Sequence, residues 1–277
     1  TSGTRNTAFG GLALTANTTG ADNAANGYQA LQGNTTGSTN SALGSAAARL
    51  SVGAITFLVS SAWAISWPEA ARPGISTFEL DQLAEELILA SGGKPSFKGY
   101  RGRRDPRPYP GSICVSVNDE IVHAVPHKDK ILKEGDVAGL DIGMWRKGLC
   151  TDMAVTVGIG KISSEAERLI RVTKEALDMG IGAVRAGAKV GDISFAIEEH
   201  LKKHNLGIIR ELAGHGVGYE VHEEPLIPNF GKPGTGPELK ENMVIAIEPM
   251  AALGGWKVKL TSDGWTFKTM DGSLGAH

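Results

Sequence analysis

Two aspartates constrain this chain more than any other feature. Asp141 and Asp152 lie inside apolar runs, Gly139-Leu-Asp-Ile-Gly143 and Cys150-Thr-Asp-Met-Ala154, joined by the turn-like Arg146-Lys-Gly148. That pattern predicts a β-hairpin in which the two residues stand roughly opposite each other on one face. Two carboxylates held side by side on rigid strands repel, and divalent cations relieve the repulsion. A strand-borne oxygen platform of this kind suits manganese, iron, cobalt or zinc. The competing reading pairs the aspartates with arginine or leaves them at a strand edge. Only two cysteines occur, Cys114 and Cys150, so they read as reduced thiols rather than a disulfide framework, and a metal site must draw on oxygen and nitrogen.

Further donors follow along the chain. His215 sits among glycines in Gly214-His-Gly-Val-Gly218, where the backbone can approach closely and the imidazole can project into a cleft. His222 opens His222-Glu-Glu-Pro225, and Glu248 ends an apolar run before Pro249-Met250. A buried glutamate needs a partner, and a metal ion is a good one. His123 follows the β-rich stretch that begins at Asn118.

The organisation is that of two unlike halves. Residues 1–48 are rich in Asn, Thr, Gly, Ala and Ser and repeat with a period of seventeen: Asn6-Thr-Ala-Phe-Gly10, Asn23-Ala-Ala-Asn-Gly27 and Asn40-Ser-Ala-Leu-Gly44. A fixed period implies one unit stacked on itself. Each unit offers so few apolar side chains that it needs partner chains or stays a low-complexity tail. Residues 49–71 form an apolar junction. Its stretch Leu50–Trp67 carries no charge, but serines and a glycine dilute it, which favours a core segment over a membrane span.

From residue 72 onward the composition is that of an α+β domain. Helices are expected from Ser76, capped by a box with Glu79, to Gly92-Gly93; from Ser164, boxed with Glu167, to about Arg185; and from Asp192 to about His204. Strands are expected over Ser112 to Val117, Val137 to Gly143, Asp152 to Gly158 and Met243 to Ile247. A net charge of −2 argues against a nucleic-acid or anionic-membrane partner. The small, polar residues Thr1 to Asn6 do not lead one to expect a conventional secretory signal.

These segments, in this order, resemble the type I methionine aminopeptidases of the pita-bread (creatinase/aminopeptidase-like) fold. The resemblance covers residues 72–277 and rests on Arg72-Pro-Gly-Ile-Ser-Thr77, Tyr109-Pro-Gly-Ser-Ile-Cys114, Asn118 to Pro126, Asp141, Asp152, Gly-His-Gly at 214 to 216, His222-Glu-Glu-Pro225, Glu248-Pro-Met250 and Asp263-Gly-Trp265. It implies a cytoplasmic metallopeptidase that removes the initiator methionine from nascent polypeptide N-termini, with two divalent metal ions (Co, Mn, Fe or Zn). Asp141 would bind one metal, Asp152 would bridge, and His215 and Glu248 would complete the other. Glu248 would take the proton of the attacking water, His222 would stabilise the tetrahedral intermediate and His123 would hydrogen-bond the scissile peptide. Tyr109, Cys114 and Trp265 would line the methionine pocket together with His123. A monomeric catalytic domain is implied, and the ribosome is a further candidate partner.

The pattern departs from the family in three places. The family's fifth ligand, a bridging glutamate on a closing strand, is expected just beyond His277, so a chain ending there should lack its last strand and be impaired. Arg101 to Pro108 is longer and more basic than usual, as a lid or a solvated loop would be. The seventeen-residue repeats resemble those of trimeric autotransporter heads and phage tail fibres, so a trimer enters as a possibility. The competing functions are a peptidase acting on Xaa-Pro bonds and an inactive pita-bread binding module or fibre-type fusion.

Overall fold

The computed structural model describes residues 68–102 and 107–277, together with the backbone of three short strands nearer the start: β1 (Thr7–Phe9), β2 (Ala24–Asn26) and β3 (Ser41–Leu43). These three pair in parallel, with Thr7 against Ala24 and Ala24 against Ser41. Each step is one seventeen-residue repeat, so like positions lie on like positions, the stacking that the period implies. The apolar stretch Leu50–Trp67 and residues 103–106 of the basic loop lie outside the described residues. Among the described residues no helix is long and apolar enough to cross a membrane.

After a short 3₁₀ turn at Pro68–Ala70 comes α1 (Thr77–Ala90). Its expected capping box forms: Ser76 accepts from the Glu79 amide at 3.1 Å, and the Glu79 carboxylate accepts from the Ser76 amide at 2.8 Å. Then follow β4 (Lys94–Pro95), β5 (Ile113–Val117), β6 (Glu120–Val122), β7 (Val137–Arg146) and β8 (Leu149–Gly158). Helices α2 (Ser164–Gly182) and α3 (Val190–Lys203) come next. Short strands complete the chain: β9 (Gly207–Ile208), β10 (Ala213–Gly216), β11 (Glu223–Pro228), β12 (Ile245–Ala246), β13 (Ala251–Ala252), β14 (Val258–Leu260), β15 (Phe267–Thr269) and β16 (Gly275–Ala276).

The α+β expectation holds, with boundaries that shift for local reasons. The cap of α2 is Ser163, in extended conformation and bonded to the Ala166 amide, rather than Ser164, and the helix stops at Gly182 rather than near Arg185. Helix α3 begins two residues before Asp192, which sits in its first turn and accepts from the Lys189 amide at 2.8 Å. The β7–β8 hairpin is longer than expected because pairing continues to Arg146 opposite Leu149. Lys147 and Gly148 form its two-residue turn with φ of 50° and 81°, the left-handed pair that matches strand twist.

Strand β7 is the spine of the first half. It pairs with β8 along its whole length, and its other edge carries β5 and then β4. Helix α1 packs Leu80, Ala84 and Ile88 against Ile113, Val115, Leu140 and Ile142 of this sheet. Each fully buried aliphatic side chain there contributes about 1.5–3 kcal/mol. A buried carboxylate fixes the join: Asp81 Oδ1 accepts from the Ser112 and Ile113 amides at 2.6 and 3.1 Å, which sets where β5 begins. In the second half α2 and α3 cover β9, β13 and β16 around Leu169, Val172, Ile193 and Ile197. A third apolar cluster, Phe97, Tyr109, Cys114, Cys150, Val217 and Val221, lies where the two halves meet. That seam is where the cleft opens.

Candidate metal centre

All nine residues singled out from the sequence line one cleft: Tyr109, Cys114, His123, Asp141, Asp152, His215, His222, Glu248 and Trp265, with Phe97 and Tyr100 added. Its empty space, counted out to the open mouth, is about 440 Å³.

The aspartates do not stand directly opposite each other. Asp141 pairs with Ala154, and Asp152 pairs with Gly143. The two are therefore diagonal neighbours on one face, which still places their carboxylates within mutual reach. Burial first, then the negative charges of Asp152 and Glu248, push the Asp141 carboxyl well above the ordinary carboxylate range. Burial and Glu248 also raise Asp152, against the pull of the neighbouring His215.

His215 arrives from β10, between β11 and β12. The glycine before it is obligatory for this approach: a Cβ on Gly214 would run into the Ala246 carbonyl oxygen and lie 3.2 Å from the Glu248 amide. The hairpin is tied to this segment by the Cys150 amide, which donates to the Gly218 carbonyl at 2.6 Å. His215 Nδ1 donates to the Gly216 carbonyl at 2.8 Å, which orients the ring. Nε2 then faces two carboxylates, 3.4 Å from Asp152 Oδ2 and 3.1 Å from Glu248 Oε1.

This arrangement fits a cation. One donor atom from each of Asp152, His215 and Glu248 lies within 4.8 Å of the other two. The Nε2-to-oxygen separations match the edge of a tetrahedron with bonds of about 2.0–2.1 Å, roughly 3.3 Å. Glu248 Oε1 is buried and accepts no well-formed hydrogen bond, its nearest polar neighbour being His215 Nε2 at 3.1 Å. Three acceptors face one another around a space that only positive charge can satisfy. With a proton in that role, burial opposes the charged imidazole, but Asp152 and Glu248 push His215 up to about 11. Burial would raise Glu248, yet His215 and His277 hold it far below the carboxylate range.

The other predicted residues form the walls. Tyr109 is buried and its single hydroxyl proton is shared between the Ile113 and Ala124 carbonyls, 3.0 and 2.9 Å away, so it offers its ring rather than its oxygen. Trp265 packs edge-on against that ring at 5.2 Å. Cys114 is buried opposite Asp141 in the β5–β7 ladder, and burial, then Asp141, pushes its thiol up, so it remains a neutral, soft contact. His123 has φ of 59°, an uncommon backbone state for a residue with a side chain. Burial and the charge of His222 lower it to about 4. His222 stands at the exposed mouth, its ring 4.3 Å from that of His215; desolvation against the walls and the charge of His215 lower its pKa.

Three site residues escaped the sequence reading. Phe97 completes the apolar wall, and Tyr100 places its hydroxyl 2.8 Å from His222 Nδ1. Their only sequence signal is proximity to the Tyr109 motif. His277 lies on β8 through Thr156, which accepts from the His277 amide at 2.9 Å and donates to its carbonyl at 2.7 Å. Its Nε2 is 3.3 Å from Glu248 Oε2. Nothing in its sequence surroundings marks it.

Comparison with known proteins identifies the family and the fold. The model of metallopeptidase family M24 matches residues 52–271. The chain is similar to the methionine aminopeptidase of Clostridium acetobutylicum, 46% identical over 209 residues that span 76% of this chain and 81% of that protein. The crystal structure of methionine aminopeptidase from Thermotoga maritima superposes with a TM-score of 0.73 at 41% identity, covering 76% of this chain and 82% of that one. An Xaa-Pro dipeptidase from Bacillus anthracis shares the fold alone, with a TM-score of 0.58 at 23% identity over 72% of this chain and 54% of its own. The pita-bread architecture is thereby established, and the chain belongs to metallopeptidase family M24.

Proposed function

We propose that this chain is a methionine aminopeptidase that hydrolyses the first peptide bond of polypeptides beginning with methionine. The observation that carries the reading is the buried Glu248 Oε1, without a well-formed hydrogen bond, facing His215 and Asp152 beside an apolar pocket. Asp152, His215 and Glu248 would hold one divalent ion, and Asp141 with Asp152 a second; manganese, iron, cobalt and zinc all suit these donors. When bound, such ions lower the pKa of water and polarise the scissile carbonyl.

The side chains supply the rest. Glu248 accepts the proton of the attacking water at its carboxylate. The Tyr100 hydroxyl lies 2.8 Å from His222 Nδ1, and the tautomer in which it donates there leaves the imidazole proton on Nε2, from which it can donate to the oxyanion of the tetrahedral intermediate. His123, kept neutral by burial, hydrogen-bonds the scissile peptide. The edge-packed rings of Tyr109 and Trp265, with Cys114 and Phe97, form a soft apolar pocket for a thioether side chain. The buried carboxylates favour a free α-amine at the other end, which makes the enzyme an exopeptidase.

Nascent polypeptide N-termini in the cytoplasm are the natural substrate of such a site, with the ribosome as a candidate partner and the catalytic domain acting as a monomer. The seventeen-residue offset of the parallel strands supports a stacked repeat, and three chains sharing it would give a trimer; sedimentation distinguishes that from a monomer. Methionine release from Met-Ala but not alanine release from Ala-Pro, abolished by a chelator and restored by manganese or cobalt, tests the reading. Cleavage of Ala-Pro in preference to Met-Ala would assign the Xaa-Pro specificity instead.

A further inference from the structure

A second set of metal donors lies outside the cleft, on the face formed by α2 and α3. His200 and His204 are four residues apart at the end of α3, so both imidazoles leave the same side of the helix. Their ring centres are 4.8 Å apart and tilted by 48°. Glu175, from the middle of α2, brings Oε2 to 3.1 Å from His200 Nε2. One donor atom from each of the three lies within 4.8 Å of the other two.

The simplest account of Glu175 and His200 is an ion pair, but a pair needs no third member. His204 adds a second nitrogen donor to the same carboxylate. The 3.1 Å separation is already close to the edge of a tetrahedral zinc site, roughly 3.3 Å. Glu175 also pairs with Arg171 at 2.7 Å, one turn away on the exposed helix surface. That contact is of the kind that contributes little in water, so exchanging it for a metal bond carries a small penalty. The His200 side chain is 17% exposed and that of Glu175 36%, which leaves an open side for entry and for a coordinated water.

We propose that Glu175, His200 and His204 bind one divalent transition-metal ion, zinc or copper, that cross-links α2 to α3. Two imidazoles and one carboxylate form a donor set suited to zinc, and the order of affinities places copper(II) above it. None of the three residues lines the cleft, so the inference does not rest on the aminopeptidase reading.

The test is zinc retained per chain after dialysis against micromolar free zinc, for the unaltered chain, His204→Gln and Glu175→Gln. Each variant should retain one equivalent less than the unaltered chain, with the same circular dichroism and the same methionine release. The copper(II) form should show hyperfine coupling to two imidazole nitrogens on one ion, lost in His204→Gln. His222 and His277 lie close to His215 in the cleft, so the loss of the signal in His204→Gln, rather than its presence, separates the two sites. Equal zinc in all three chains, or copper bound without the two-nitrogen signal, would overturn the proposal. Glu175→Gln keeps the second variant free of any change in α3.

Discussion

The cleft trio and the helical trio use the same kinds of donor but are built in opposite ways. Asp152, His215 and Glu248 come from β8, from β10 and from the segment after β12, and they are mostly enclosed. Glu175, His200 and His204 come from two consecutive helices and face solvent on one side. Burial makes the difference. In the cleft, charges that cannot be solvated must be satisfied by one another, so the carboxylates and His215 shift one another strongly. On the helices, water and Arg171 already solvate the group. The first arrangement can drive chemistry beside a substrate pocket; the second can hold an ion and link two helices.

The largest effect that would sharpen this contrast comes from Asp152→Asn. It removes a shared ligand and should lower methionine release by on the order of 10³-fold, the upper scale for losing one group that stabilises a transition state. Thermal melting of the apo chain should change little or rise, because one member of a repelling buried set is neutralised. A variant that kept near-normal turnover would remove Asp152 from the centre.

His222→Ala should lower kcat by about 10²-fold with KM nearly unchanged, as expected for a group that acts in the transition state. The pH profile supplies a sign. Desolvation and His215 depress the His222 pKa, so the neutral, active form persists as pH falls below its ordinary value of about 6.5. Its protonation therefore costs activity only further into the acid range. Tyr100→Phe removes the oxygen that faces Nδ1 and should reduce kcat about 10-fold, in the range for an outer partner of a site histidine. A change confined to KM would instead place Tyr100 in substrate binding.

In the helical half, Ile193→Ala truncates a fully buried side chain and should cost about 2–5 kcal/mol of stability by denaturant titration. Turnover by the folded fraction should stay unchanged, because Ile193 touches the helical core rather than the cleft. Loss of specific activity without loss of stability would mean the two halves are coupled. The smallest effect expected is from Trp265→Ala on selectivity. Widening the pocket should cut discrimination between methionine and smaller first residues by about 10-fold in kcat/KM.

Much of the centre was legible because its chemistry is written in short local motifs. Two apolar runs joined at Arg146-Lys-Gly148 announced a hairpin around Asp141 and Asp152, and glycines around His215 announced a close backbone approach. Register was not legible: whether Asp152 opposes Asp141 or sits two residues along depends on where the turn closes, and the two-residue turn at Lys147-Gly148 decides it. Phe97, Tyr100 and His277 were missed since each joins the site only through tertiary packing. The helical trio shows the same division. The spacing of His200 and His204 is visible to anyone counting helical turns, whereas Glu175 is twenty-five residues from His200 and meets it only when α2 packs on α3. The cap of α2 failed for a simpler reason, since two adjacent serines offer the same oxygen and only backbone conformation chooses Ser163.

The most direct test of the central claim is methionine release from a Met-Ala peptide, measured with a chelator and then with manganese or cobalt restored, alongside Ala-Pro as the competing substrate. Metal-dependent release of methionine with Ala-Pro left intact is the predicted result. No release under any metal, in a folded chain shown to bind that metal through Asp152 and His215, would contradict it.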